Sequence, residues 1–470
     1  QPSAVAGLAR ALRAARSFDE SLEAQRLAAE LAPDNHSYQS AYLYAVSLSP
    51  LLSPKEVFQR HAEWGRRIEA QVRPMAVHHN ERSADRKLRV GYVSPDFRGH
   101  AVMRFVLPFL EAHDRDRFDI VLYSETAQED RSTQTAVALA DAFIRTREMS
   151  DEALAKQIQS DGIDILVDLA GHTAENRLPV FAFKPAPVQV SFLGYPGTTG
   201  LTRVDYFLTD RIREPHLGVG CYTEHPVMLP HGACCYEALE AAEPTAPPCL
   251  KNGYVTFGSS HRPEKISPET LSVWALVLAS VPNSRLLLFR DSFRSESLKS
   301  QFRQTLQESG INIGRVDFGW ELPERHLDIY SRMDIMLDVF PWGSGTTAYD
   351  AMWMGVPIPT LAGDRGSCRS TASLLHFAGF PELIAAGPGD YVRIACGLAS
   401  DHQRLTQLRG TIRPAMKNSV CHRRQFTQDL ETAYREIWSR YLTQATNGTR
   451  SSGNTRNSGH SRKKKKKGAR

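Results

Sequence analysis

Only seven of the 470 residues are cysteine, at 221, 234, 235, 249, 368, 396 and 421, and no two stand in a Cys-x-x-Cys pair. An odd, scattered set makes no disulfide scaffold and lacks the spacing of a zinc site. Each is read as a small buried hydrophobe in a reducing, cytoplasmic setting. Long apolar runs are missing as well. No stretch approaches the roughly 18 to 20 residues that a spanning helix needs, which excludes a helical membrane protein. The opening residues 1–17 carry Arg10, Arg13 and Arg16 among alanines without a strong apolar centre, so they do not read as a secretory leader. A chain that opens on Gln rather than Met is expected to lack its native start. Acidic metal-binding patterns are absent too. No Asp-x-Asp closes a strand, Asp114-Arg115-Asp116 lies in a polar turn, and no carboxylate/histidine cluster has ligand spacing.

What is present is ordinary globular composition, 41% apolar and 23% charged. At about 150 residues per domain, the length predicts two or three domains with sizeable cores. The net charge of +5 is local. Residues 451–470 hold eight Lys/Arg and no acid, so removing them leaves −3 for residues 1–450. This Ser/Gly/Asn-rich stretch, ending in Lys463 to Lys467, cannot bury apolar area and is expected to be a disordered basic tail over 450–470. It would hold nucleic acid weakly at most, because no aromatic residue interleaves its lysines.

Residues 1–75 read as helices, with Ala4, Leu8, Leu12 and Ala15 on one apolar face and Leu22, Ala24, Leu27, Ala28 and Leu31 on another. Pro33-Asp34-Asn35 interrupts the pattern, which resumes over 38–48. Ser53-Pro54-Lys55-Glu56 is a helix start with an N-cap, Pro at the first position and Glu three residues on. SFDESLEAQRLAAELAPDN resembles one tetratricopeptide unit, which must stack on upstream repeats or on the next domain to bury its faces. A polar linker over 71–86 follows.

From Leu88 the texture changes to short β-branched runs between helical stretches. Residues 88–93, 118–123, 163–169 and 188–193 predict buried parallel strands over 86–245, with a helix over 151–160. After the prolines at 244, 247 and 248 the alternation restarts over 250–442. Strands are predicted at 254–257, 285–289, 335–339 and 358–361, helices at 268–279 and 346–354, and a closing helix at 423–441. Two consecutive βα arrays predict an α/β protein of two facing doubly wound domains, with ligands in the cleft at the strand C-terminal ends.

The strand-end loops carry the candidate chemistry. After 335–339 comes Phe340-Pro341-Trp342-Gly343-Ser344-Gly345-Thr346-Thr347 and then a helix. Small residues there let backbone amides approach an anion, and the helix N-terminus adds its positive end. Asp350, one turn on, is within reach of a ribose hydroxyl. After 254–257, Arg262 and Lys265 are placed to neutralise a phosphate leaving group, and His326, at a helix start, could stack on a base. In the first array the strand ends lead into His100 beside Gly99, into Gly171-His172, and into Gly194-Tyr195-Pro196-Gly197-Thr198-Thr199-Gly200. These three loops are expected to converge on the cleft, with a histidine in acid–base work. With no metal-ligating set, diphosphate charge falls to Lys, Arg and backbone amides.

Together RVGYVSPDFRGH, DILVDLAGHTAENRLPVFAFKPAPVQVSFLGYPGTTGL, ISPETL, VPNSRLLL, LDVFPWGSGTT and MWMGVPIPTLAGDR resemble the catalytic region of the O-linked N-acetylglucosamine transferase/SPINDLY family. The likeness spans roughly 88–440, and the helices before it resemble the last of that family's tetratricopeptide repeats. The resemblance implies a GT-B fold and metal-independent, inverting transfer to Ser/Thr of protein or peptide acceptors. It implies no cofactor beyond a nucleotide-sugar donor, UDP-N-acetylglucosamine being favoured. His100 matches the family's proposed base, and Lys265 the lysine that stabilises the departing diphosphate. His326 matches the histidine near the uracil, Gly345, Thr346 and Thr347 the diphosphate loop, and Asp350 the ribose-binding acid. His172, Tyr195 and Pro196 are expected on the acceptor side of the cleft. Three donor-side positions depart from the family's usual pattern: Arg262 stands for an amide, Gly343-Ser344-Gly345 for Asn-Gly-Gly or Asn-Gly-His, and Gly366-Ser367-Cys368-Arg369 for His-Ala-Ser-Arg. Two alternatives remain beside the leading one, a SPINDLY-like O-fucosyltransferase using GDP-fucose and a catalytically silent repeat scaffold.

Overall fold

The computed structural model describes residues 1–14, 17–214, 221–238, 242–321 and 323–453, so the lysine-rich part of the expected tail lies outside them. Four helices come first: Pro2–Ala14, Phe18–Leu31, His36–Leu48 and Pro54–Gln71. Asn35 starts the third by accepting from the Tyr38 N–H at 3.2 Å. The fourth begins on the full capping box of Ser53 and Glu56 that its sequence predicts.

Seven parallel strands follow: β1 Leu88–Ser94, β2 Phe118–Ser124, β3 Ala142–Arg145, β4 Ile165–Asp168, β5 Val188–Ser191, β6 Tyr206–Thr209 and β7 His225–Met228. Their spatial order is β3-β2-β1-β4-β5-β6-β7, with Val90 paired to Ile120 on one side and Ile165 on the other. The winding reverses between β1 and β4, and the strand ends diverge there to open a crevice. The second unit repeats the plan with β8 Val255–Ser259, β9 Ser284–Phe289, β10 Val316–Gly319 and β11 Ile335–Met336, in the order β10-β9-β8-β11. A further pair, β12 Thr360–Leu361 and β13 Ile384–Ala385, lies beyond β11, whose Met336 N–H bonds the Pro357 carbonyl at 3.0 Å. Both units are therefore doubly wound, as the strand pattern predicts. Among the described residues, no helix is long and apolar enough to cross a membrane.

The closing helix corrects the boundary drawn from the sequence. It runs from Arg423 to Gly453, well past residue 441. It also leaves the second unit: Phe426, Leu430, Tyr434, Ile437 and Trp438 share a core with Tyr92, Phe109 and Phe192 of the first. The chain thus passes between the units twice, and the two passages touch where the Tyr236 N–H bonds the Val420 carbonyl at 2.9 Å.

The helical segment is seated on the first unit without a gap. A Cβ on Gly65 would stand 1.8 Å from the Gly200 carbonyl oxygen, and one on Gly200, whose φ is +80°, 2.1 Å from the His61 carbonyl oxygen. Only glycine allows this approach on both sides.

Candidate active site

Three cations gather where β8 and β9 end. Lys265 lies in the turn Pro263–Lys265 after β8, with Arg262 just before it, and Arg290 directly follows β9. Among the described residues, none of the three is in a salt bridge. Burial first, and then the Arg262 charge, lower the Lys265 ammonium to about 8. The same two causes lower Arg290. Neighbouring cations that depress one another in a half-buried cleft are poised for an anion, which would relieve both effects. Lys265 Nζ reaches the Gly343 carbonyl at 3.4 Å and lies 5.7 Å from the Trp342 ring centroid.

Opposite them stands the N-terminus of the helix Thr346–Trp353. No side chain caps it, and a Cβ on Gly345 would meet nothing within 4 Å. Its first amides, with the half-buried Thr346 and Thr347, therefore face open space, as a diphosphate cradle requires. The loop is fixed from beneath by Asp338. The buried carboxylate takes the Ser344 N–H at 3.1 Å and the Ser344 hydroxyl at 2.5 Å through Oδ1, and the Thr360 hydroxyl at 2.6 Å through Oδ2. His261 joins this network through Ser344 on one ring nitrogen and Ser259 on the other. Two of the departures from the family's pattern, around Arg262 and in the 343–345 loop, are thereby physically connected.

Asp350 is 5% exposed and sits among groups from both units. Its Oδ1 accepts from the Tyr236 hydroxyl at 2.5 Å and from Arg104 Nη1 at 3.1 Å, and Oδ2 lies 3.1 Å from His326 Nε2. His326 belongs to the 3₁₀ run Pro323–Arg332 rather than to an α-helix start.

Across the cleft, β1 leads into the His100 loop. His100 Nδ1 lies 3.4 Å from Asp96 Oδ2 and 3.3 Å from the Val102 N–H. Burial is the main cause that holds the imidazole below its ordinary range, opposed by Asp96 and reinforced by Arg98 and Arg262, so the neutral ring prevails at pH 7. That Arg262 is felt by both His100 and Lys265 brings the two proposed catalytic residues to one region.

In the other two loops the His172 and Tyr195 side chains are buried against the helical segment, which corrects their expected exposure to the cleft. His172 is 1% exposed: its Nε2 bonds the Thr199 carbonyl at 2.9 Å, its Nδ1 lies 3.2 Å from Ser40 Oγ, and Trp64 packs against its edge at 4.7 Å. Tyr195 is equally buried, its hydroxyl held by Ser47 and by His61 Nε2 at 2.7 Å. Pro196 lines a cavity of about 40 Å³ with Ser47, His61 and Arg365. These residues seat the helical segment, which covers that part of the sheet edge. The segment also reaches the donor side, since Tyr44 lies 6.0 Å from Trp342 and carries Arg13 at 5.4 Å over its ring.

Arg104, Tyr236, Arg290, His261 and Asp338 were not singled out from the sequence. Only Asp338, a lone charge within the apolar run 335–339 just before the 343–347 loop, had a local signal. Among the described residues, no group of three or more His, Cys, Asp or Glu is placed to hold a metal ion.

Comparison with known proteins bears on the family and the fold. The pattern of glycosyl transferase family 41 matches residues 17–235 and 249–430. A rice (Oryza sativa subsp. japonica) protein named "Probable UDP-N-acetylglucosamine--peptide N-acetylglucosaminyltransferase SPINDLY" is 36% identical over 423 residues, covering 88% of this chain and 45% of its own. The SEC protein of Arabidopsis thaliana, which bears the same enzyme name, is 29% identical over 370 residues, 75% of this chain and 37% of its own. The chain thus spans less than half the length of these curated relatives. Among solved structures, a point mutant of Thermobaculum terrenum O-GlcNAc transferase superposes with a TM-score of 0.89 at 32% identity, over 95% of this chain and 85% of that one. Since the family's pattern runs through both doubly wound units, the chain belongs to glycosyl transferase family 41.

Proposed function

We propose that the chain transfers N-acetylglucosamine from UDP-N-acetylglucosamine to Ser/Thr hydroxyls of protein acceptors, with inversion and without a metal ion. The observation that carries this is the facing of two halves. An anion cradle of Lys265, Arg262, Arg290 and the uncapped helix at Thr346 stands opposite a neutral histidine, His100, on the other unit. The acceptor oxygen attacks the anomeric carbon as the bond from that carbon to the diphosphate oxygen breaks. The leaving group takes the electron pair, and its charge meets the three cations and the helix amides. His100, held in its turn by the Val102 N–H donated to Nδ1, takes the acceptor's proton as a neutral imidazole. Asp350 Oδ2 has lone-pair capacity left for a ribose hydroxyl. A reducing compartment such as the cytoplasm fits the odd, scattered set of seven cysteines with no Cys-x-x-Cys pair. The names borne by the relatives and by the solved structure favour the UDP-N-acetylglucosamine donor.

A second reading, GDP-fucose as donor, rests on the stretch GHTAENRL, which resembles the SPINDLY branch. Calorimetric titration with UDP and with GDP decides between them. Binding of UDP alone supports the first, binding of GDP alone the second, and binding of neither leaves a scaffold. Lys265→Ala should abolish turnover in a folded protein, and near-normal turnover would remove the mechanism.

A further inference from the structure

We propose that Arg104 is a positioning residue that couples nucleoside binding on the second unit to the placement of His100 on the first. This rests on the donor reading above. Arg104 opens the helix Met103–Ala112 of the first unit, yet its buried guanidinium serves the second. Nη1 lies 3.1 Å from Asp350 Oδ1 and 3.2 Å from the Tyr236 hydroxyl, and Nη2 lies 3.2 Å from His326 Nε2. A cation of one unit thus completes the surroundings of the two groups that would hold ribose and base on the other.

The carboxylate has room for both duties. Of its roughly four lone-pair sites, Oδ1 uses two on Arg104 and Tyr236, while Oδ2 faces only His326 among the described residues. A ribose hydroxyl donating to Oδ2 would share the same carboxylate with Arg104. Any movement of Asp350 toward the ligand is then transmitted to the guanidinium, because a buried charge cannot leave its partner without a large desolvation cost.

The path from Arg104 to the chemistry is short. The Arg104 N–H bonds the Ala101 carbonyl at 3.2 Å, and the Met103 N–H bonds the His100 carbonyl at 3.1 Å, so one turn of backbone carries both side chains. Next to it, Phe105 packs edge-on against Tyr349 at 5.0 Å. The helix already rests on the second unit through apolar contact, and Arg104 adds the part that responds to a ligand.

Hydrogen exchange of the whole chain, with saturating UDP and in parallel GDP, tests the coupling. In the unmodified protein the bound nucleotide should slow exchange in the 343–350 loop and also in the 98–106 turn. In Arg104→Gln, protection of 343–350 should persist and that of 98–106 should vanish. Its kcat should fall about tenfold or more, with the donor KM changed less than about threefold. Arg104→Lys, which keeps a cation within reach of Asp350, should recover part of both effects, and it carries the test if the Gln variant does not fold. Equal protection of 98–106 with and without Arg104, or an unchanged kcat, overturns the coupling and leaves the donor reading standing. Absence of protection at 343–350 with either nucleotide overturns the donor reading and the coupling with it.

Discussion

Raising the pH from 7 to 8.5 is expected to strip Lys265 of most of its charge. Burial, followed by the Arg262 charge, brings its ammonium down to about 8. At that value about nine in ten Lys265 side chains are charged at pH 7 and about one in four at pH 8.5. A bound diphosphate supplies the opposite charge and pulls the lysine back toward its ordinary range, so binding takes up a proton. Uptake on binding means that affinity declines as pH rises. The expected decline for UDP is about fourfold over this interval, or about 1 kcal/mol, and near pH 8 each bound nucleotide should take up about half a proton. Calorimetry in two buffers of different ionisation enthalpy reads both quantities. Lys265→Met, which cannot titrate, should bind more weakly at pH 7 and lose the pH slope and the uptake together. Affinity that stays flat from pH 7 to 8.5, or uptake that survives in the variant, would refute the electrostatic account of the cradle.

Other consequences can be checked separately. Gly200→Ala places a Cβ 2.1 Å from the His61 carbonyl oxygen at a φ of +80°. It should destabilise the chain by about 3 kcal/mol or more and unseat the helical segment, read as a lower melting temperature and new proteolytic cuts within 36–71. His61 is fully buried and burial lowers it to about 4, so the unfolded chain binds the extra proton first as pH falls. Its share of stability, about 3 kcal/mol, is intact above pH 6.5 and is lost as pH drops toward 4, which urea unfolding at pH 7.5 and 4.5 should register. Ser344→Ala removes a hydroxyl that Asp338 and His261 both use. A loss of about 1–3 kcal/mol in stability together with weaker UDP binding is expected, and a variant unchanged in both would contradict the anchoring of the loop.

How much of this was legible depended on where the information resides. The central strands were plain because β1, β2, β8 and β9 are continuous apolar runs buried on both faces. The edge strands β3, β7 and β10 were not, since four residues with exposed or half-buried positions make no such run. The run 335–339 shows a related limit. Leu337 and Val339 are as buried as Ile335, but only Ile335 and Met336 are in the ladder, because apolar patterning reports burial and not pairing. In the site, Gly345 to Thr347 and Lys265 had a rationale local in sequence, since each stands in a loop directly after a strand run. Arg104 and Tyr236 were invisible because their partners are far away in sequence. His172 and Tyr195 were misassigned for a similar reason. A strand's C-terminal end in a doubly wound sheet ordinarily faces ligand, but here Ser40, Ser47, His61 and Trp64 occupy it.

The returning helix has a consequence for how the molecule is made. The first seven strands leave the ribosome long before Trp438, yet Tyr92, Phe109 and Phe192 share their core with it. Until residues 426–438 are synthesised, that apolar face has no cover, while the second unit, complete by Val420, has all of its own strands. The order of completion therefore inverts the order of synthesis: the inserted unit can close first, and the unit begun earliest is finished last. A nascent chain stopped before residues 426–438 would display their hydrophobic seat, a surface suited to chaperone capture.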